Sequence, residues 1–391
     1  MTCMTTPSAS ASSPIDDLNH SDVRVVIAPD SFKGTASAEE AAQWLGEGVR
    51  QVIANAQIQL APMADGGEGT SAKFEGERIT LPTTDAAGRL TEATYTFNAE
   101  TETAYIEDAA ASGLPAVADK PCAATGDTYG TGVLIADAET RGARRIVLGL
   151  GGSATVDGGT GILVALGVNP LNKEGYTLRP GGAALTDLDD FDLAKANIPA
   201  GAVDWILLTD VDSPVTGPHG AAHVFGPQKG ATAEDIEQLD RGLARLCEVT
   251  GIDPETPRYG AAGAIPVGLV WLSTTLHGND DHIQVLSGAE VLAASMGLPK
   301  LINNASLVIT GEGAYDEQTA SGKVVNTVMS LADDSPAVVA VAAGKIAADL
   351  PASVIGTELS SLSEAGSVAE QLRRAGAQIA VDYLRISTVQ G

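Results

Sequence analysis

Carboxylates that could hold magnesium or accept a hydroxyl proton occur in two short motifs. In Asp65-Gly66-Gly67-Glu68 they lie on a glycine-rich loop, which suits a Mg²⁺ ion or a proton acceptor. In Asp210-Val-Asp212 they follow a buried-looking strand. Because residues i and i+2 of an extended chain point the same way, Asp210 and Asp212 could share one Mg²⁺ ion. A plain or solvated acidic turn is the alternative for each motif.

A glycine-rich loop, Gly149-Leu-Gly151-Gly152-Ser153-Ala154, follows another strand and matches the dinucleotide fingerprint G-x-G-x-x-A. Asp157-Gly-Gly interrupts the helix that should come next, so nicotinamide binding is disfavoured. We instead predict an anion cradle, in which the N–H groups of Gly151, Gly152 and Ser153 surround phosphate oxygens. Asp157 would face the accompanying metal or the substrate hydroxyl. The P-loop consensus G-x-x-x-x-G-K-[ST] does not occur.

Lysines and further acids follow other strands. A lysine beside a helix N-terminus can pair with a phosphate or a carboxylate. The alternative for Asp30 and Lys33 is a local surface ion pair, and the alternative for Lys229 is an exposed turn lysine. The candidates are Asp30, Ser31 and Lys33 before a helix, Lys229 in a Gly-Pro-Gln-Lys-Gly loop, Glu312 and Asp316 after a late strand, and Lys323 in Ser-Gly-Lys.

These motifs lie at the carboxyl ends of predicted strands, the edge at which open α/β sheets bind ligands. The first strand is Val23–Ala28, a β-branched run typical of a buried parallel strand. Ser37 then begins a helix, with Glu40 completing a capping box. A second strand, Gln57–Ala61, completes a right-handed crossover unit.

The pattern of the middle of the chain differs from that of its ends. Three short alternating segments predict an antiparallel meander, two buried strands follow, and the strand–helix rhythm returns near residue 290. The predicted segments are Glu77–Leu81, Thr94–Ala99, Thr103–Glu107, Arg145–Leu150, Trp205–Thr209, Ser306–Ile309, Val338–Ala342, Val354–Gly356 and a helix, Glu364–Tyr383, interrupted at Gly376. We therefore predict an α/β protein with a flavodoxin-like parallel-sheet domain (22–70 and 290–391), an inserted mixed α/β domain (71–289) and a disordered tail (1–21).

Composition limits the partners. The formal net charge of the 391 residues is 23 − 50 = −27, which disfavours nucleic acid and anionic membranes. No apolar run approaches the roughly 18 residues that span a bilayer. Three widely spaced cysteines without a CxxC pair favour a reducing cytoplasm. The oligomeric state is not determined, and a homo-oligomer stays open.

Seven segments in this order are similar to the type-1 glycerate kinase family, over residues 24 to 385. They are IAPDSFKGTASA, MADGGEGT, GLGGSATVDGG, DVDSPVTG, VFGPQKGAT, GAAGA and VITGEG. The resemblance implies a discontinuous flavodoxin-like domain with an inserted restriction-enzyme-like domain. It also implies ATP, Mg²⁺ and D-glycerate, with 2-phosphoglycerate as product.

The predicted mechanism is phosphoryl transfer by positioning and charge stabilisation. Asp210 and Asp212 would hold Mg²⁺, the 151–153 loop and one or more of Lys33, Lys229 and Lys323 would compensate phosphoryl charge, and Asp65 or Asp210 would accept the hydroxyl proton. Closure of two domains would exclude water. The residues do not decide between the two aspartates.

Some positions depart from the family pattern: Val156, Ser213, Ala264-Ile265-Pro266 and Ala314. Ala314 stands where Arg is usual, and an alanine cannot replace a bidentate contact to a carboxylate. Two alternatives therefore remain open. One is a kinase for a related hydroxy acid, and the other is a non-catalytic protein that binds a nucleotide or an acid and regulates a partner.

Overall fold

The computed structural model describes residues 23–32, 34–64, 66–67, 69–316, 324–359 and 366–390. The strands are β1 Arg24–Ile27, β2 Gln57–Leu60, β3 Glu77–Thr84, β4 Leu90–Asn98, β5 Thr103–Glu107, β6 Arg145–Gly149, β7 Asn169–Leu171, β8 Asp190–Asp192, β9 Asp204–Leu208, β10 Ile283–Leu286, β11 Leu307–Tyr315, β12 Val338–Ile346 and β13 Ile355–Glu358. The helices are α1 Ala38–Val52, α2 Asp108–Ser112, α3 Tyr129–Thr140, α4 Thr160–Ala165, α5 Ile198–Gly201, α6 Ala221–Phe225, α7 Ala233–Thr250, α8 Ala261–His277, α9 Gly288–Ser295, α10 Leu298–Asn303, α11 Val324–Ala332 and α12 Val368–Gln390. Short 3₁₀ turns cover Ser71–Lys73, Leu114–Val117, Gly182–Asp187 and Pro227–Lys229.

The chain forms two compact units. The first contains the residues up to Pro62, Lys300–Tyr315 and the residues from Leu331 onwards, and the second contains Met63–Pro299 with Asp316–Ser330. Both chain ends therefore contribute to the first unit. The domain limits that we placed after residues 70 and 289 stay predictions, as does the tail at 1–21, which lies outside the described residues.

The first unit is built on a five-stranded sheet in the order β13-β12-β11-β1-β2, with every neighbouring pair parallel. Read in the order in which the chain enters it, the sheet runs 2-1-3-4-5, which is the flavodoxin-like order. The strand order reverses between β1 and β11. The fold class expected from the sequence is confirmed: a parallel-sheet unit made from both ends, with a mixed sheet between.

Local signals explain the first helix. Ser37 accepts a hydrogen bond from the Glu40 amide at 3.2 Å, and Glu40 accepts one from the Ser37 amide at 2.9 Å. This is the predicted capping box. The buried side chains of α1 belong to a core that includes residues of the sheet and of α12, and Gly48 lies against α12. A methyl group at Gly48 would collide with the backbone carbonyl of Arg373, so a glycine is needed where the two helices cross.

Three predicted boundaries in the first unit were wrong. The last helix continues through Gly376, because this glycine lies against the Leu45 carbonyl of α1 and a side chain there would collide with it. Strand β11 runs through Gly311-Glu312-Gly313, and β12 runs through Lys345, both of which we predicted as loops. The two strands pair in register up to Tyr315 and Ile346, so mutual hydrogen bonding extends them.

The second unit contains a six-stranded sheet in the order β10-β9-β6-β5-β4-β3. The pairs β3–β4 and β4–β5 are antiparallel, as the predicted meander requires, and the other pairs are parallel. A core of aliphatic side chains packs around the buried Trp205 and Tyr95. Strands β7 and β8 pair in residues 168–200, for which the sequence supported no assignment. Within the described ranges, no helix combines the length and the apolar stretch needed to cross a membrane.

Candidate active site

The carboxyl ends of three parallel strands in the second unit lie side by side. Glu107 at the end of β5 pairs in register with Gly149 of β6, which pairs with Leu208 of β9. The residues that follow each strand are therefore neighbours at one edge. This places Asp108, the 150–153 loop and Asp210 next to one another, at the position where α/β sheets bind ligands.

Two glycine loops meet at this edge. Gly151 donates its amide hydrogen to the carbonyl oxygen of Gly66 at 3.2 Å. A Cβ atom on Gly151 would lie 2.6 Å from the Cα atom of Gly67, so only glycine allows this approach. The Gly151 amide is therefore not a phosphate donor, contrary to our prediction. The amides of Gly152 and Ser153 donate to no acceptor in the described part of the chain, and they remain the candidate donors to an anion.

Glu107 was not recognised in the sequence, although it ends a predicted strand as the other candidates do. Its carboxylate accepts the amide hydrogens of Gly69 at 3.1 Å and Ser71 at 2.6 Å. It thereby anchors the acidic loop to the end of β5. Asp65 and Glu68 of that loop lie outside the described residues, so their roles stay predictions.

Asp157 is fully buried and serves the fold. Its carboxylate accepts hydrogen bonds from the amide of Thr128 (3.0 Å), the hydroxyl of Thr128 (2.9 Å), the amide of Gly159 (3.1 Å) and the amide of Gly161 (2.9 Å). Burial raises the pKa of Asp157, and these hydrogen bonds oppose that shift. With both oxygens engaged, the side chain ties the start of α4 to that of α3. The predicted position facing a metal or a hydroxyl is not what these contacts show.

Lys229 is also buried, with 3% of its surface exposed, so it is not an exposed turn lysine. It ends the turn Pro227–Lys229, and its Nζ atom donates to the carbonyl oxygen of Thr155 at 2.6 Å. Burial lowers the pKa of Lys229 to about 8, against the attraction of Asp108 and Asp157. The ammonium group thus lies behind the glycine loop and supports it from the protein side.

Asp108 is the second residue that sequence reasoning missed. It begins α2, directly after Glu107, and none of its surface is exposed. Its Oδ1 atom accepts the hydroxyl hydrogen of Thr131 at 2.8 Å. Burial raises the pKa of Asp108 to about 6, and the nearby Ser153 hydroxyl and Lys229 lower it. A carboxyl group inside an apolar strand-to-helix junction has no signature in a single sequence.

The two aspartates proposed for magnesium have different partners. Strand β9 ends at Leu208, two residues before Asp210. Asp210 accepts the amide hydrogen of Ala289 at the start of α9, at 3.2 Å. Asp212 is 65% exposed and pairs with Arg258 at 3.3 Å. A shared Mg²⁺ ion stays a prediction.

These carboxylates nevertheless fit magnesium by their chemistry. Mg²⁺ binds hard oxygen atoms and commonly takes one or two carboxylates, with water and phosphate filling the other positions. Asp210 lies at the same edge as the glycine loop, whereas Asp212 would have to leave Arg258. The described residues contain no group of three or more His, Cys, Asp or Glu side chains able to hold a metal.

The first unit carries its own candidates where its strand order reverses. The amide of Asp30, after β1, donates to the carbonyl oxygen of Gly311 in β11 at 2.8 Å. Asp30 Oδ1 accepts the amide hydrogen of Ser31 at 2.6 Å. Glu312 is 7% exposed and next in β11, so Asp30 and Glu312 both lie near this reversal. The switch point is the usual ligand position in a flavodoxin-like sheet.

The remaining predicted residues are Lys33, Lys323 and Asp316. Lys33 and Lys323 lie outside the described residues, and Asp316 is a half-buried residue just after β11. Ala314, which stands at a position where the family usually has Arg, pairs in register with Lys345 of β12. A lysine backbone position therefore lies directly beside the alanine.

A strained turn lies against the segment that follows the glycine loop. Ala262, Gly263 and Ala264 all have positive φ angles, of 50°, 67° and 69°. Left-handed backbone costs a non-glycine residue roughly 1–2 kcal/mol, so the surroundings must hold this turn in place. The carbonyl oxygen of Gly263 accepts the amide hydrogen of Gly158 at 2.9 Å. One departure from the family pattern, Ala264, lies in this turn.

Comparison with known proteins identifies the class of enzyme to which this chain belongs. The family model described as "Glycerate kinase family" matches residues 25–388. A glycerate kinase from Halalkalibacterium halodurans is 39% identical over 76% of this chain and 79% of its own length. The glycerate 2-kinase of Escherichia coli K12 is 37% identical over 79% of this chain and 82% of its own. A crystal structure of a protein designated glycerate kinase 2 from Salmonella typhimurium LT2 superposes with a TM-score of 0.74. It is 32% identical and covers 94% of this chain and 98% of its own.

The chain is thus a kinase with an alcohol group as acceptor. It belongs to the glycerate kinase family. The resemblance inferred from the seven segments is confirmed.

Proposed function

We propose that this protein transfers the γ-phosphoryl group of ATP to a hydroxyl group of D-glycerate and forms 2-phosphoglycerate. The observation that carries the proposal is the registered end of β5, β6 and β9, where the glycine loop and Asp210 are neighbours. The E. coli relative is a glycerate 2-kinase by name, which supports the position phosphorylated. ATP follows from the kinase family.

Each group at this edge has a proposed task. The amides of Gly152 and Ser153 bind phosphate oxygens, as N–H groups of a glycine turn do elsewhere. Asp210 binds Mg²⁺ or orients the hydroxyl that attacks. Magnesium, when bound, neutralises charge on the phosphates. Lys229 adds a positive charge behind the loop from a buried position, where its Nζ atom donates to the Thr155 carbonyl.

The assay is incubation of the purified protein with ATP, Mg²⁺ and D-glycerate, followed by an enolase-coupled measurement and NMR of the product. Glycerate-dependent ADP together with 2-phosphoglycerate supports the proposal. Formation of 3-phosphoglycerate instead would retain the kinase and change the hydroxyl that is positioned. If the folded protein forms no glycerate-dependent ADP, a panel of small hydroxy acids tests the alternative acceptor that Ala314 suggests.

Asp210→Asn tests the role of the edge itself. It keeps the shape of the side chain and removes the charge, so we expect turnover to fall by about 10²–10⁴-fold with the fold intact. Asp189→Asn is the matched control, because the Asp189 side chain is 49% exposed and forms a surface ion pair with Arg245 at 3.5 Å. Near-normal turnover of the Asp210 variant would remove Asp210 from the mechanism.

A further inference from the structure

The glycine loop rests on a buried network that contains more negative than positive charge. Asp108, Asp157 and Lys229 are all buried and interact electrostatically. Two carboxylates and one ammonium group, all ionised, leave one net negative charge. This charge lies on the protein side of a loop whose outer amides we assign to an anion. Bringing a phosphate to the loop therefore places like charges close together, in a region that water screens poorly.

The two carboxylates differ in how well their charge is stabilised. Asp157 accepts four hydrogen bonds, three of them from backbone amides, and these donors stabilise its ionised form. Asp108 accepts one on Oδ1 from Thr131, whereas its buried Oδ2 atom accepts none from any group in the described part of the chain. A buried carboxylate oxygen without a donor is costly as an anion. Asp108 is therefore the member of the network that protonates more readily.

Asp108 also lies near the loop, and the segment that contains it is hydrogen-bonded to the loop backbone. The Ser153 hydroxyl lies close enough to lower the pKa of Asp108, while its geometry favours a hydrogen bond with Thr155 Oγ1 at 3.1 Å. The strand-to-helix segment of Asp108 holds the loop backbone as well. Leu114 donates to the Gly152 carbonyl at 3.0 Å, and Ala154 donates to the Ser112 carbonyl at 2.8 Å. A change of charge at Asp108 is thus felt at the Ser153 amide.

We propose that Asp108 takes up a proton when a phosphate group binds the amides of Gly152 and Ser153, and releases it when the phosphate leaves. The proton comes from solvent, and no covalent bond changes. Uptake removes the net negative charge behind the loop, so Asp108 acts as a positioning and charge-compensating residue. This inference rests on the proposed function, because it requires nucleotide phosphates at this loop.

The charged and polar groups around Asp108 determine the pH range over which its carboxyl group titrates. The ionisable groups that face it are Asp157 and Lys229, and the polar neighbours are Thr131 and Ser153. A phosphate bound at the Ser153 amide would add negative charge near the Asp108 carboxyl, and at a separation of roughly 7 Å one such charge raises the pKa by about one to two pH units. Proton uptake is then largest between the free value of about 6 and the raised one.

Calorimetry of ADP binding at saturating Mg²⁺ tests the proposal without turnover. Titrations at pH 6.8 in several buffers with different ionisation enthalpies give the number of protons taken up. We expect wild type to take up about half a proton more per ADP than Asp108→Asn does. Asp127→Asn is the matched control. Burial raises the pKa of Asp127 to about 6 as well, but its carboxylate accepts from the Tyr129 amide rather than touching the loop. Loss of uptake in this control would overturn the assignment to Asp108.

The pH dependence of affinity separates charge from structure. At pH 8 we expect Asp108→Asn to bind ADP about tenfold more tightly than wild type, and at pH 5.5 we expect equal affinities. Weaker binding at both pH values, with an unchanged pH dependence, would leave Asp108 a structural residue only. If the variant does not fold, wild-type uptake measured from pH 5.5 to 8.5 must still peak between 6 and 8. Binding without such a peak overturns this inference alone, whereas no ADP binding by folded wild type overturns the proposed function too.

Discussion

The charged residues at the candidate site are mostly buried, and each is held by specific donors or acceptors. Asp157 and Lys229 were both recognised in the sequence as residues for ligands. The structure shows instead that their polar atoms engage the backbone of neighbouring segments. A glycine-rich loop that holds an anion must itself be held, and these buried charges do so. Sequence motifs mark such a site without distinguishing the residues that touch a ligand from those that support the loop.

Asp157→Asn should destabilise the second unit strongly. An asparagine side chain has one acceptor oxygen, and its NH₂ group would face donors that the carboxylate now satisfies. Relief of charge burial offsets part of the loss, since the pKa of Asp157 is raised by desolvation. We expect a net loss of about 2–4 kcal/mol in the free energy of unfolding, measured by urea denaturation.

Asp189→Asn serves as control here too, because an exposed ion pair contributes about 0–1 kcal/mol. A loss below about 1 kcal/mol in the Asp157 variant would show that the four hydrogen bonds contribute little. In that case the buried aspartate would be better explained by a ligand than by the fold.

At the scale of elements, hydrophobic runs and capping residues predicted the helices and strands that are determined by residues close in sequence. The capping box at Ser37, the strand Thr103–Glu107 and the meander order all follow from residues close in sequence. Long-range contacts decide the rest. Gly376 breaks a helical pattern by propensity, yet it continues α12 because α1 crosses there. The extension of β11 through Glu312 depends on its pairing with β12.

The same limit applies to the site. Parallel strands made it predictable that the 151–153 loop and Asp210 share an edge. It was not predictable that the Gly151 amide would donate to the Gly66 carbonyl, or that Asp108 would lie near Ser153. Both depend on how distant segments of the chain pack together.

Two glycines of α1 allow the helix crossing to be tested. A methyl group at Gly48 would collide with the Arg373 carbonyl, so Gly48→Ala must separate α1 from α12. We expect it to cost about 2–4 kcal/mol. Gly46 is the matched control, two residues away in the same helix. Its added methyl group would meet side chains at ordinary distances, the nearest being Ile27 at 3.4 Å.

Helix propensity should make Gly46→Ala neutral or stabilising by up to about 1 kcal/mol. Thermal and urea unfolding of both variants provide the comparison. Equal effects of the two substitutions would mean that the close crossing is not what requires a glycine at position 48.

At the scale of the whole molecule, the excess of acids stands against a function that binds anions. The net charge is −27, and the substrates of a glycerate kinase carry phosphate groups and a carboxylate. Under the proposed function, backbone amides at the strand ends bind the phosphates, and Lys229 offsets part of the buried negative charge of Asp108 and Asp157 behind the loop. Helix and turn amides carry no counterion and need no compensating basic surface. A strongly acidic surface and an anion site can therefore coexist in one chain.

The surface charge itself should oppose folding, and salt should relieve it. With 50 acidic and 23 basic residues, repulsion outweighs attraction when the charges are weakly screened. The Debye length falls from about 20 Å at 20 mM NaCl to about 4 Å at 500 mM, which suppresses repulsion between distant carboxylates. We expect the urea midpoint to rise over this range, corresponding to a gain of about 1–3 kcal/mol in the free energy of unfolding at pH 7.5.

Urea is a suitable denaturant because it is uncharged and leaves the ionic strength unchanged. Two compact units can unfold separately, so each transition is fitted by itself. The control is the same NaCl series at pH 4.5, where many carboxylates are protonated. The effect of salt on the urea midpoint should be smaller there. A midpoint that falls with salt at pH 7.5 would show instead that the surface ion pairs, such as Arg373 with Glu47, outweigh the repulsion.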